Sequence, residues 1–124
     1  MGENDGFGFP RAARITAPDE IREVFRRGKR RRTRHLDAFV SPSPVAHPRL
    51  GVVVPKHKHG SVERNLVKRR LREIGRTLLL PALRGAGAPL DLMLRARPEA
   101  YRASFAELRD ELRALVEELC SGAR

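Results

Sequence analysis

The segment from Glu63 to Glu73 narrows what this chain can be more than any other. Arg64, Asn65, Lys68, Arg69, Arg70 and Arg72 crowd it, yet its apolar members keep helical spacing. At about 100° per residue, Val67, Leu71, Ile74 and Leu78 fall within one arc, and Asn65, Lys68, Arg69, Arg72 and Arg76 fall opposite or beside it. Such a helix docks one face on a core and keeps the other for an anion. Like charges at helical spacing repel one another, so a merely solvated face is the weaker explanation of so many bases.

The rest of the chain agrees. It carries 26 Lys and Arg against 15 Asp and Glu, a formal charge of +11 over 124 residues. Self-repulsion of that size suits an anionic partner, with nucleic acid the first candidate. Residues 99–124 hold six acids and four bases, leaving 22 bases and nine acids in the first 98, so the binding surface excludes the C-terminal segment. A length of 124 residues with 40% hydrophobic composition supports one modest core. Cys120 is the single cysteine, which rules out an intrachain disulfide and a cysteine-based zinc site. The apolar run from Leu78 to Leu83 falls far short of the roughly 20 residues a membrane span needs. Met1 to Gly6 lacks the basic and apolar regions of a signal peptide. The expectation is a soluble protein of the cytoplasm.

Local signals divide the chain. Residues 1–10, rich in Gly and ending at Pro10, read as a flexible arm whose Phe7 and Phe9 fold back onto the domain. Thr16 or its neighbour as N-cap, Pro18, Asp19, Glu20 and a stop at Gly28 predict a helix from about Ala17 to Arg27, burying Ile21, Val24 and Phe25. Arg26 to Arg34 holds seven bases in nine residues and reads as a loop, either solvated or touching RNA. His35 to Val40 predicts a strand, with Leu36, Ala38 and Val40 alternating against Asp37 and Phe39, and Ser41 to Pro48 a turn. Leu50 to Val54, closed by Pro55, predicts a second strand, paired antiparallel to the first. After the basic loop Lys56–Gly60, with Ser61 as N-cap, the main helix is expected from about Val62 to Leu80 and to stop at Pro81. Ala82 to Pro89 reads as a linker, Leu90 to Ala96 as a third strand, and Glu99 to Leu119 as a final helix burying Leu108, Leu112, Leu115, Val116 and Leu119. The order αββαβα gives an α+β fold, a two-layer sandwich of a small sheet and three helices. The domain then spans residues 11–120, with a short tail at 121–124.

That order, the segment Arg49 to His57, the pairs Arg64-Asn65, Lys68-Arg69 and Arg72-Glu73, and the strand ending Arg95-Ala96-Arg97-Pro98 resemble the protein subunit of bacterial ribonuclease P. The resemblance covers about Pro10 to Leu119. The family's helix signature runs RNR, KR, RE; here Leu66 stands in the third place, which weakens one expected RNA contact. The resemblance implies a mostly antiparallel sheet with a left-handed βαβ crossover, against the usual right-handed rule. It implies a non-catalytic subunit that binds a catalytic RNA and the 5′ leader of precursor tRNA, while magnesium, held mainly by RNA phosphates, serves the hydrolysis. Binding is then expected to weaken steeply with salt.

By the same resemblance, Arg64, Asn65, Lys68, Arg69 and Arg72, with Lys56 and His57, hold the catalytic RNA, since guanidinium forks suit phosphate oxygens. Ile21, Phe25, Arg30 and Phe39 are expected around a cleft for the leader, where rings stack on unpaired bases. Ile21 and Phe25 suit a plain core role equally well. His57 and His59 lack a third metal ligand and fit phosphate contact better, no catalytic or metal-binding residue is expected, and His35 and His47 carry no readable role. Three rivals remain: a structural or ribosomal RNA-binding protein, a stand-alone hydrolase using His57 or His59 as base, and a helix-turn-helix protein, which the strands flanking the basic helix disfavour.

Overall fold

The computed structural model describes residues 10–122. The expected N-terminal arm with Phe7 and Phe9, apart from Pro10, and the last two residues of the expected tail lie outside that range. The elements in chain order are α1 (Pro18–Arg27), β1 (Lys29–Arg32), β2 (Leu36–Pro42), β3 (Arg49–Val53), α2 (Ser61–Ile74), α3 (Leu80–Gly85), β4 (Leu90–Ala96) and α4 (Phe105–Gly122). Short 3-10 turns cover Arg11–Ala13 and Pro98–Arg102. Counting α2 and α3 as one body, three helices accompany a four-stranded mixed sheet, an α+β fold.

The sheet order is β1-β2-β4-β3. β1 and β2 pair antiparallel, β2 and β4 pair antiparallel, and β3 runs parallel to β4. This corrects the expected antiparallel pairing of the strands that are here β2 and β3: β4, last in the chain, inserts between them. The pattern of each strand predicts a buried face, not a neighbour, and Leu92, Met93 and Leu94 are all buried, as suits a strand covered on both faces.

Alternation sorts the sheet into two faces. Leu36, Ala38, Leu50, Leu92, Leu94 and Ala96 point to the larger core, formed with Val67, Leu71 and Ile74 of α2 and with Leu108, Leu112 and Leu115 of α4. The opposite face carries Met93, Phe39 and Val53, and only α1 covers it, through Ile21, Val24 and Phe25. Gly75 marks how closely the long helix approaches the sheet, because a methyl there would overlap the Leu50 side chain.

Two boundaries depart from expectation. The basic segment read as a loop is in part a strand, since Lys29 to Arg32 pair with Val40 to Asp37 at the sheet edge. Charged side chains on an edge strand also discourage pairing with another chain. The main helix continues past Pro81 instead of stopping. Pro81 has no N–H to return to the preceding turn, and the turn ahead of it widens into a π-helical stretch, Gly75–Leu79, in which the Leu80 N–H donates to the Gly75 carbonyl. The expected linker is therefore helical as far as Gly85. No helix of the described residues is long and apolar enough to cross a membrane.

Candidate nucleic-acid interface

Helix α2 starts at Ser61, with Gly60 as N-cap in place of the expected Ser61. Glu63 turns back to accept the Gly60 N–H at 3.1 Å, and this hydrogen bond, helped by His59, holds its carboxyl below the usual range. Val67, Leu71 and Ile74 are buried as the spacing requires. On the outer side Asn65, Arg69 and Arg72 are exposed, and Arg64 and Lys68 are half-buried. Among the described residues the side chains of Asn65, Lys68, Arg69 and Arg72 have no intramolecular partner. Their neighbours are committed elsewhere: Arg70 donates to the Ala103 carbonyl at 2.9 Å and Arg76 pairs with Glu73 at 2.6 Å. Arg64 buries an Nε that finds no acceptor. Leu66, at the place where the family signature carries an arginine, is 44% exposed and presents no charge.

The loop before α2 is held tightly. His59 N–H donates to the Lys56 carbonyl at 2.7 Å, closing a turn whose central residues, His57 and Lys58, adopt φ of 44° and 69°. The His59 ring lies flat on Tyr101, 3.8 Å between centroids, and its Nδ1 sits 3.0 Å from Glu63. Tyr101 donates its hydroxyl to the Pro55 carbonyl, and burial pushes its phenol up. With His57 Nε2 3.3 Å from the Ala96 carbonyl, both imidazoles serve loop packing, which weighs against a general base. Lys56 is exposed beside them.

On the open face of the sheet a cleft of about 300 Å³ is lined by Arg30, Arg32, Asp37, Phe39, His57 and Arg95, among others. Arg30 lies on β1 and not in a loop, opposite Phe39 of β2. Phe39 meets Phe25 of α1 edge to face, 4.8 Å between centroids. Ile21, Phe25 and Phe39 are each half-buried against the Ile15, Val24 and Met93 cluster; Phe39 alone of the three also lines the cleft, while Ile21 and Phe25 close the smaller core beside it. Asp37 accepts from Arg32 Nε at 2.9 Å and from Arg30 at 3.5 Å. Burial pushes its carboxyl up, but the Arg32 hydrogen bond and the charges of Arg30, Arg32 and Arg97 outweigh this and leave it below the ordinary value. His57 lines the cleft while His59 touches α2, so the loop joins cleft and helix into one cationic surface.

Sequence reasoning missed three features here. Arg32, Asp37 and Arg95 share the cleft through strand register, which only the insertion of β4 reveals. Arg49 is buried, with two hydrogen bonds to Asp91 at 2.9 and 2.8 Å and its Nη1 shared between both carboxylate oxygens of Glu20 at 3.3 and 3.2 Å. His35 and Glu111, 2.6 Å apart and joined by Thr33, tie α4 to the β1–β2 turn. Asp91 and Arg95, the two charged residues in an apolar strand, were the available signals.

A small α+β protein with one half-open sheet face and an adjoining helix whose outer Asn65, Lys68, Arg69 and Arg72 have no partner among the described residues is built to grip a polyanion. The comparisons narrow that class. The family model described as Ribonuclease P matches residues 9–120. The ribonuclease P protein component of Chloroflexus aurantiacus is 36% identical over 110 residues, covering 89% of this chain and 79% of its own. That of Thermus aquaticus is 41% identical over 119 residues, covering 93% and 68%. The solved ribonuclease P protein of Thermotoga maritima shares the fold with a TM-score of 0.71 at 24% identity, covering 85% of this chain and 96% of that one. The Staphylococcus aureus protein does so with a TM-score of 0.71 at 22% identity, covering 92% and 100%. The chain belongs to the ribonuclease P protein family. It is the protein component of a ribonucleoprotein endoribonuclease in tRNA 5′ processing, and its partner is RNA.

Proposed function

We propose that the chain works as a two-sided cationic bridge, with the outer side of α2 on the catalytic RNA and the open cleft on the single-stranded 5′ leader of precursor tRNA. The observation that carries this reading is the set of unpartnered side chains Asn65, Lys68, Arg69 and Arg72, next to a cleft where rings and guanidinium groups meet. Lys56, His57 and Arg64 extend the first surface, Arg30 and Phe39 line the second, and Ile21 and Phe25 support Phe39 from the smaller core. Two polyanions brought together repel, and a small body of high positive charge offsets that repulsion while releasing counterions. Guanidinium forks and the Asn65 amide need no particular base to hold a backbone, and ring stacking tolerates any base. The setting of this work is the cytoplasm.

Magnesium, which activates water and stabilises the leaving oxygen in phosphodiester hydrolysis, is held by RNA in this reading. The protein residues do not fit it. Among the described residues no three His, Cys, Asp or Glu side chains gather to hold a metal ion, and the cleft's one carboxylate, Asp37, is committed to two arginines. In this reading the bond-breaking step belongs to the RNA.

The test uses the reconstituted holoenzyme and the Phe39→Leu variant, which keeps apolar bulk and removes the ring. Stacking is worth about 1–3 kcal/mol per base, so the preference for precursor over mature tRNA should fall by roughly 5- to 150-fold in binding titrations. Affinity for the catalytic RNA should hold. An unchanged preference for precursor would remove the leader from this cleft.

A further inference from the structure

Beyond Arg30 and Phe39, the cleft holds three side chains arranged as an anion seat. Arg32 of β1 stands opposite Asp37 of β2, and Asp37 stands opposite Arg95 of β4. With strands about 4.8 Å apart, the Arg32 and Arg95 backbones lie roughly 10 Å from each other on the same face, and their side chains are long enough to converge. Asp37 takes the Nε of Arg32 at 2.9 Å, leaving both terminal nitrogens of that guanidinium free to fork an oxyanion. Arg95 is exposed and, among the described residues, makes no hydrogen bond or ion pair. Arg30, Arg32, Arg95 and Arg97 face a single carboxylate around the cleft, so the site carries a net positive charge. A cavity of about 320 Å³ beside α1 differs, because Glu20, Glu23 and Asp91 there stand against Arg27 and Arg49 and its charges nearly cancel.

We infer that Arg32 and Arg95 form a seat for one backbone phosphate of single-stranded RNA, next to the Phe25–Phe39 pair, and that Asp37 is a positioning residue that aims Arg32 at it. Arg30 and Phe39 form the adjacent row of the sheet, two residues along each strand, so a base against Phe39 leaves its neighbouring phosphate over Arg32 and Arg95. The contact reads no base, and it ties the strand's path to the sheet instead of to sequence. The inference rests on the cleft being the leader site, and the leader is the source of the phosphate.

The test measures binding of the reconstituted holoenzyme to precursor tRNAs whose leaders carry one neutral methylphosphonate linkage, walked along the leader, and to leaderless tRNA. With the wild-type protein, one linkage should cost about tenfold in affinity, the scale of a charge-assisted contact. With Arg95→Gln, leader-bearing tRNA should bind about tenfold more weakly, the modified linkage should cost nothing further, and leaderless tRNA should bind as before. Arg95→Lys should restore part of the loss. Asp37→Asn makes the protein more positive, so an Asp37 that merely repelled phosphate would give tighter binding; a positioning role gives weaker binding of leader-bearing tRNA alone. Urea unfolding of each variant confirms the fold. Equal losses for leader-bearing and leaderless tRNA, or no loss with Arg95→Gln, overturn the seat. If the wild type itself shows no preference for leader-bearing tRNA, the leader reading of the cleft fails, and the seat falls with it.

Discussion

Arg49 shows what one buried side chain does for the site. It joins β3 to Asp91 of β4 and reaches Glu20 of α1, so the helix that carries Ile21 and Phe25 is fastened to the sheet by charge as well as by apolar contact. The Asp91 hydrogen bonds outweigh burial and hold the guanidinium more firmly protonated. Removing one partner of a buried pair strands the other charge, which costs about 3–5 kcal/mol. Asp91→Ala should lose about that much stability in urea unfolding, whereas a loss below roughly 1 kcal/mol would mean the pair is solvated in practice. The partnership was not legible beforehand, because 42 residues separate Arg49 from Asp91 and nothing local to either announces the other. Arg64, Asn65, Lys68, Arg69 and Arg72 were legible, because a single helical period fixes which of them face outward.

Elements repeat that contrast. The strand Leu90–Ala96 falls where alternation and Pro98 put it, and the buried positions of the last helix match their spacing. Its start does not, for Pro98 opens only a 3-10 turn and the α-helix begins at Phe105. A capping box decides the point: the Ser104 hydroxyl accepts the Glu107 N–H at 3.0 Å, and Glu107 accepts the Ser104 N–H at 2.8 Å. That Ser-x-x-Glu signal is present in the sequence, at Ser104 and Glu107. Ser104→Ala should cost about 0.5–2 kcal/mol in chemical denaturation, with no effect on RNA binding. An unchanged midpoint would show that the cap is not what starts α4. Pro81 misled in the other direction, because a widened turn absorbs the missing N–H and lets the helix run on. The basic β1 strand was hidden for a third reason, since its pairing with β2 leaves no alternating apolar pattern in Lys29 to Arg32.

At the scale of the whole molecule, charge and topology act together. A formal charge of +11 has nowhere to go inside a core of this size, so it collects on the outer side of α2, on β1 and in the cleft. The insertion of β4 between β2 and β3 brings Arg95 to the middle of the open face and the Lys56–Gly60 loop to its rim. In the proposed function that one surface meets two RNAs, while two acids of α4 are taken up at the sheet edge, Glu118 by Arg31 and Glu111 by Thr33 and His35. Such a distribution suits the proposed role of the chain, in which cations and rings gather two RNAs and the cutting is left to one of them. The most direct test is cleavage of precursor tRNA at low magnesium by the catalytic RNA alone, by the protein alone, and by both together, with long and trimmed leaders. The account predicts no cleavage by the protein alone, a rate with both components well above that of the RNA alone, and a gain that shrinks as the leader is shortened. Cleavage by the protein without RNA, or a gain indifferent to leader length, would contradict it.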